Sequence, residues 1–100
     1  MKKIILIGDS IRMGYDKYLT EQLEGQAEVF YPSENCRFAQ YTLRYLHEWV
    51  KDIDKEKVAV VHWNNGLWDV LRLCGDEPFT PVEFYVDTLK KVHKRIQYLF

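Results

Sequence analysis

The residues best suited to chemistry in this 100-residue chain lie in two short stretches, Gly8-Asp9-Ser10 and Asn64-Asn65-Gly66. The first follows an uninterrupted aliphatic run, Ile4-Ile5-Leu6-Ile7, and precedes a helical pattern. Ser10 therefore sits on a tight turn between a buried strand and a helix start. The free N–H groups and dipole of a helix N-terminus favour negative charge, so the place suits a nucleophilic hydroxyl. It equally suits a serine that only caps the helix. The second stretch is a strong turn signal directly after another apolar run, Val58-Ala59-Val60-Val61-His62-Trp63.

What must position these residues is an alternation of strands and helices. Lys3–Gly8 reads as a strand buried on both faces, because it lacks polar alternation. A helix is expected from about Ile11 to Leu23, with Ile11, Tyr15, Tyr18, Leu19 and Leu23 on its buried stripe and Gly25 as its stop. Gly14 inside it implies close packing against a neighbour. Ala27–Tyr31 reads as a short strand ended by Pro32. A second helix follows from Cys36 or Arg37 to Trp49 or Val50, turning Phe38, Tyr41, Thr42, Tyr45, Leu46 and Trp49 inward. Val58–Trp63 is apolar throughout, as in a central strand. The loop from Asn64 to Phe79 is long for a compact domain, which favours a functional loop, with one helical turn expected around Asp69–Leu73. Thr80, Pro81 and Glu83 spell a capping box for a third helix, whose stripe is Val82, Tyr85, Val86, Leu89, Val92 or His93, Ile96 and Leu99.

This βαβαβα order predicts an α/β fold, a three-layer α/β/α sandwich whose parallel sheet has the flavodoxin-like strand order 2-1-3. In such sheets ligands bind beyond the carboxyl ends of the strands, where the strand order reverses. With strand one between its two neighbours, the Gly8 and Asn64 turns share that crevice. The same order leaves one edge of strand three open, which invites pairing. Either a further C-terminal segment or a second copy in a homodimer is expected to cover it.

Composition excludes other classes. Lys and Arg number 14 and Asp and Glu 15, with the signs interspersed, so there is no basic nucleic-acid face. Lys90, Lys91, Lys94 and Arg95 recur at helical spacing and read as a solvated helix face. The N-terminal apolar run is too short for a signal-peptide core or a membrane span, so the expectation is a single cytoplasmic domain with no membrane or nucleic-acid partner. Cys36 and Cys74 are far apart and form no Cys-x-x-Cys, which reads as two free thiols. No metal or cofactor is expected.

Gly8-Asp9-Ser10 after a hydrophobic strand, with an Asn/Gly/Asp cluster after the third strand, resembles the SGNH (GDSL-type) hydrolases, a superfamily of esterases, lipases, thioesterases and carbohydrate acetylesterases. The resemblance covers the N-terminal part of the family domain. It implies ester hydrolysis of a small-molecule substrate through an acyl-serine intermediate. Ser10 takes the nucleophile's place, and its own N–H would be one oxyanion donor, with Asp9 supporting the turn. The family's second block supplies a glycine N–H as another donor; that place falls near Asn35-Cys36-Arg37, where there is no glycine. The third block, Gly-x-Asn-Asp, aligns with Gly66-Leu67-Trp68-Asp69, where tryptophan replaces the asparagine. Asn64 or Asn65 would supply the amide instead, Asn64 being favoured at the strand end. The resemblance also sets Arg12, Cys36, Arg37, Gly66 and Trp68 around the substrate. Arg12 either meets an anionic substrate group or lies on the surface. Trp63 and Trp68 belong to the core or to an apolar wall for the acyl group. Nothing matches the last block, Asp-x-x-His, which holds the base and its supporting acid. His62, near the end of strand three, is the only geometric candidate for a substitute base, and it reads first as a packed or hydrogen-bonded strand residue; Asp69 reads as a brace for its own loop.

Overall fold

Three strands carry the molecule, and the apolar runs set their order. In the computed structural model, which describes residues 1–100, β1 (Lys2–Ile7) lies between β2 (Ala27–Phe30) and β3 (Val58–Trp63), all parallel. The uninterrupted Ile4–Ile7 run suits this central place. Ile5, Leu6 and Ile7 are at most 1% exposed, although they alternate between the two faces of the sheet. The register pairs Ile5 with Phe30 on one side and with Val61 on the other, after an irregularity between Lys3 and Ile4.

Two helices, α2 (Ala39–Trp49) and α3 (Val82–Leu99), pack together on one face. The main core gathers Ile5 and Ile7 with Leu46 of α2, Val50 just after it, and Val92 and Leu99 from α3. Val61 and Trp63 of β3 pack against it. The other helix, α1 (Ser10–Gln22), lies over the opposite face, where Tyr15 meets His62, the register partner of Leu6.

Several local expectations are corrected. On α1, Ile11 is 54% and Tyr18 69% exposed, while Arg12 and Asp16 are buried. The helix turns an ion pair inward because loop carbonyls satisfy it, as described below. Gly14 has no atom within 4 Å of where a Cβ would stand, so it mediates no close packing. The start of α2 comes later than expected, since Cys36 and Arg37 belong to the preceding loop. Pro81, not Thr80, caps α3, and no side chain closes a capping box. Val82 and Val86 point outward; Thr88, Val92 and Leu99 are the buried positions. The turn expected around Asp69–Leu73 is instead closed by Val70 N–H on the Gly66 carbonyl at 3.0 Å.

The third strand is an edge strand. Val60 at its middle is 49% exposed, and Ala59 and His62 are exposed with it. The main contacts of α1 are with β1 and β2, which leaves this part of its face bare. No helix is long and apolar enough to cross a membrane.

Candidate active site

Three loops leave the carboxyl ends of the three strands, and backbone bonds stitch them together around Gly8. Asn64 N–H donates to the Ile7 carbonyl at 2.9 Å, extending the β1–β3 ladder past Trp63. Cys36 N–H donates to the Gly8 carbonyl at 3.1 Å, which ties in the loop after β2. The expected crevice at the strand ends is therefore a physical junction of the Gly8, Cys36 and Asn64 loops.

The first loop makes Ser10 available. Asp9, only 2% exposed, is the N-cap of α1, and its Oδ1 accepts from Ile11 N–H at 3.0 Å. Capping thus falls to Asp9 and not to Ser10. Ser10 occupies the first helical position and is exposed, and its hydroxyl takes no part in the bonds that fix the turn. First-turn N–H groups have no intrahelical acceptor, so the Ser10 amide has no partner within α1.

The second loop holds a left-handed residue where the resemblance asks for glycine. Arg37 has φ 57°. Its N–H donates to Asn35 Oδ1 at 2.7 Å, an exposed local bond that another acceptor can replace. Its carbonyl receives Asn65 Nδ2 at 3.1 Å, and its guanidinium lies 4.8 Å from the Tyr41 ring centre. Cys36 is fully buried, so its side chain is walled off from a substrate; burial pushes the thiol pKa up, against opposing bonds from Gly8 and Arg12. Behind this loop the Glu34 carboxylate accepts from the Tyr41 hydroxyl and from Trp49 Nε1. Those bonds, Tyr41 first, hold its pKa below the ordinary value, and the same bond raises that of Tyr41.

The third loop divides its two asparagines between different tasks. Asn65 is 7% exposed; its Oδ1 accepts from Trp63 Nε1 at 2.6 Å, and its Nδ2 is spent on Arg37. Asn64 is exposed, and only its backbone is fixed. Of the two amides, that of Asn64 is free to meet a ligand. Gly66 lies under Tyr85: a Cβ there would stand 2.9 Å from the tyrosine hydroxyl, which donates to the Asn65 carbonyl. Burial raises the pKa of Tyr85, with the Asp69 charge adding to it. Trp68 is half-buried against Phe38, which also packs on Phe79 at 5.3 Å. Asp69 is 1% exposed and braces the whole loop. Its carboxylate accepts from Ala39 N–H at the start of α2 (3.1 Å to Oδ2) and from Thr80 Oγ1 at 2.8 Å. This is where the threonine hydroxyl expected to cap α3 goes.

Arg12 overturns its surface assignment. It is 1% exposed, and its guanidinium points into the protein, away from any ligand at Ser10. Nη1 donates to the Pro32 carbonyl at 2.8 Å and to Asp16 Oδ2 at 3.1 Å. Nη2 donates to the Glu34 carbonyl at 2.5 Å and to the Gly8 carbonyl at 3.3 Å. A charged residue in the first turn of a helix usually reads as exposed, and the apolar stripe read on α1 gave no sign that Arg12 would be the residue turned inward.

The junction thus gathers Ser10, Asn64 and the Arg37 amide and sets Arg12, Cys36 and Asn65 behind them. It brings no histidine. His47 and His93 are exposed on α2 and α3, and His62 is exposed on β3 with Nδ1 3.5 Å from the Tyr15 hydroxyl. No three His, Cys, Asp or Glu side chains cluster at metal-binding distance. Ser10 is exposed, and two concavities, at one sheet end and in the long loop, are lined by other residues. A concavity of about 630 Å³ is at the far end of the sheet, by Met1, Gly25 and Val29, and another of about 510 Å³ lies within the long loop, between Leu71 and Phe79. Compared with protein-family models, with curated proteins and with solved structures, the chain matches none.

Proposed function

We propose that this chain carries the nucleophile and oxyanion groups of an SGNH-type acyl hydrolase. The observation that supports the reading is the convergence at Gly8. An exposed serine at the first position of a helix, a free asparagine amide and a left-handed backbone amide sit on three loops joined through adjacent carbonyls. In the proposed reaction Ser10 Oγ attacks the ester carbonyl carbon, and its proton passes to a general base. The carbonyl oxygen gains the electron pair and is held by Ser10 N–H, Asn64 Nδ2 and Arg37 N–H, the last released from Asn35. Collapse expels the alcohol with the proton returned by the base. Water then attacks the acyl-serine by the same route, giving the acid and free Ser10. None of the three histidines is hydrogen-bonded to Ser10, so the proposed reaction takes its base from elsewhere.

The test supplies that base. The protein is incubated with p-nitrophenyl acetate and imidazole, and acetylation is read by intact mass and peptide mapping. Acetyl accumulates on Ser10, is absent from Ser10→Ala, and forms roughly 100- to 1,000-fold more slowly in Asn64→Ala. Equal labelling of wild type and Ser10→Ala removes Ser10 from the chemistry.

A second reading, a non-catalytic module that assembles through its sheet, draws support from the bare Val60 edge. It predicts a dimer in light scattering that Val60→Glu dissociates. A monomer at all concentrations rules it out.

A further inference from the structure

The second loop holds a shape that its own residues do not favour. A left-handed non-glycine residue costs roughly 1 kcal/mol or more, and the loop has no strand or helix ladder of its own. Its carbonyls are instead held by donors from elsewhere. Arg12 takes those of Pro32 and Glu34, Thr42 Oγ1 takes that of Cys36 at 2.9 Å, and Asn65 takes that of Arg37. The same guanidinium also reaches the Gly8 carbonyl through Nε and Nη2, at 3.4 and 3.3 Å.

We infer that Arg12 is the positioning residue of the site, a buried clamp whose fork sets the spacing between the Ser10 turn and the Arg37 amide. Its catalytic consequence rests on the acyl-transfer reading; its geometry does not. Arg12 is two residues beyond Ser10 on the first turn of α1, so clamp and nucleophile move as one body. The planar guanidinium presents donors in fixed directions, which lets one side chain grip carbonyls from two loops at once. A lysine ammonium places its donors on a single nitrogen and reaches fewer of them. Asp16, 4% exposed, balances the charge, and the other groups against the guanidinium are the Cys36 thiol and the Tyr31 ring, 5.7 Å away. Gly8 is part of the device, since a Cβ there would stand 2.7 Å from Arg12 Cβ. Displacing a reacting geometry by about 1 Å costs roughly 100-fold in rate.

The experiment is Arg12→Lys with two readouts, amide exchange by NMR and Ser10 acetylation. Exchange of Cys36 N–H is expected to accelerate about 100-fold, while Asn64 N–H, bonded to Ile7, keeps its protection. Acetylation is expected to slow about 100-fold with an unchanged half-saturating ester concentration. Wild-type exchange at Cys36, or wild-type acetylation despite lost protection, overturns the inference. If wild type itself is never acetylated, the hydrolase reading fails, and the exchange result alone decides the clamp. Should Arg12→Lys not fold, exchange in the wild type decides. Cys36 N–H and Arg12 Nε–H must open with the same denaturant dependence, and independent opening overturns the clamp.

Discussion

Replacing Asp69 with alanine should destabilise the protein far more than its place in a loop suggests. The carboxylate serves Ala39 N–H at the start of α2 and the Thr80 hydroxyl before α3, and Asp69 itself is 1% exposed. Losing a helix N-cap acceptor costs about 1 kcal/mol. Leaving the Thr80 hydroxyl unpaired costs about 1 kcal/mol more. Together these place the loss near ~2 kcal/mol. In a domain of this size each kcal/mol moves the melting point by about 4–8 °C, so a fall of roughly 8–16 °C is expected. Asp69→Asn keeps an oxygen acceptor and should lose about a third as much. Thermal unfolding followed by far-ultraviolet circular dichroism, with urea midpoints as a check, measures both. An alanine variant melting within about 3 °C of wild type would refute the bracing role. An asparagine variant as damaged as alanine would show that charge, and not the acceptor oxygen, is what α2 requires.

Glu34 makes stability pH-dependent in a defined direction. Its folded pKa lies below the ordinary 4.5, so it stabilises the fold above that value, and the contribution is lost as pH falls through the depressed folded value. Urea midpoints at pH 7 and pH 3 should therefore fall less in Glu34→Gln than in wild type; an equal fall discounts the Tyr41 and Trp49 bonds. Gly8→Ala should cost about 2 kcal/mol, because the added methyl meets Arg12 Cβ at 2.7 Å and neither atom ends a flexible chain; an unchanged urea midpoint contradicts the close packing. One thiol per native molecule, Cys74, should react promptly with a maleimide, while buried Cys36 should wait for unfolding. Prompt labelling of both thiols means that the second loop opens readily.

The sheet was legible in the sequence because its signals are local. The run Ile4–Ile7 has no polar interruption, Val58–Trp63 is apolar apart from His62, and the alternation of elements leads to the 2-1-3 order that the strands adopt. What stayed hidden depends on partners distant in the chain. The stripe read on α1 assumed that apolar residues face inward, but Arg12 finds carbonyls twenty or more residues away and turns the helix about its axis. Thr80, Pro81 and Glu83 satisfy the local pattern of a capping box, yet Asp69 offers the hydroxyl a buried charged acceptor, which wins. The left-handed state of Arg37 has no local sequence signal. It follows from Asn65 and Arg12 holding carbonyls on either side of it. Of the two asparagines, only the positions of Trp63 and Arg37 decide which amide is spent.

The indole placements have an optical consequence. Trp49 reports the second loop through Glu34, Trp63 reports the third through Asn65, and Trp68 stands beside Phe38 where the two loops meet. The second and third loops therefore each carry their own intrinsic fluorophore, with the last of the chain's three tryptophans between them. Emission from variants that keep one tryptophan at a time would resolve which loop moves when a ligand arrives, with no dye attached.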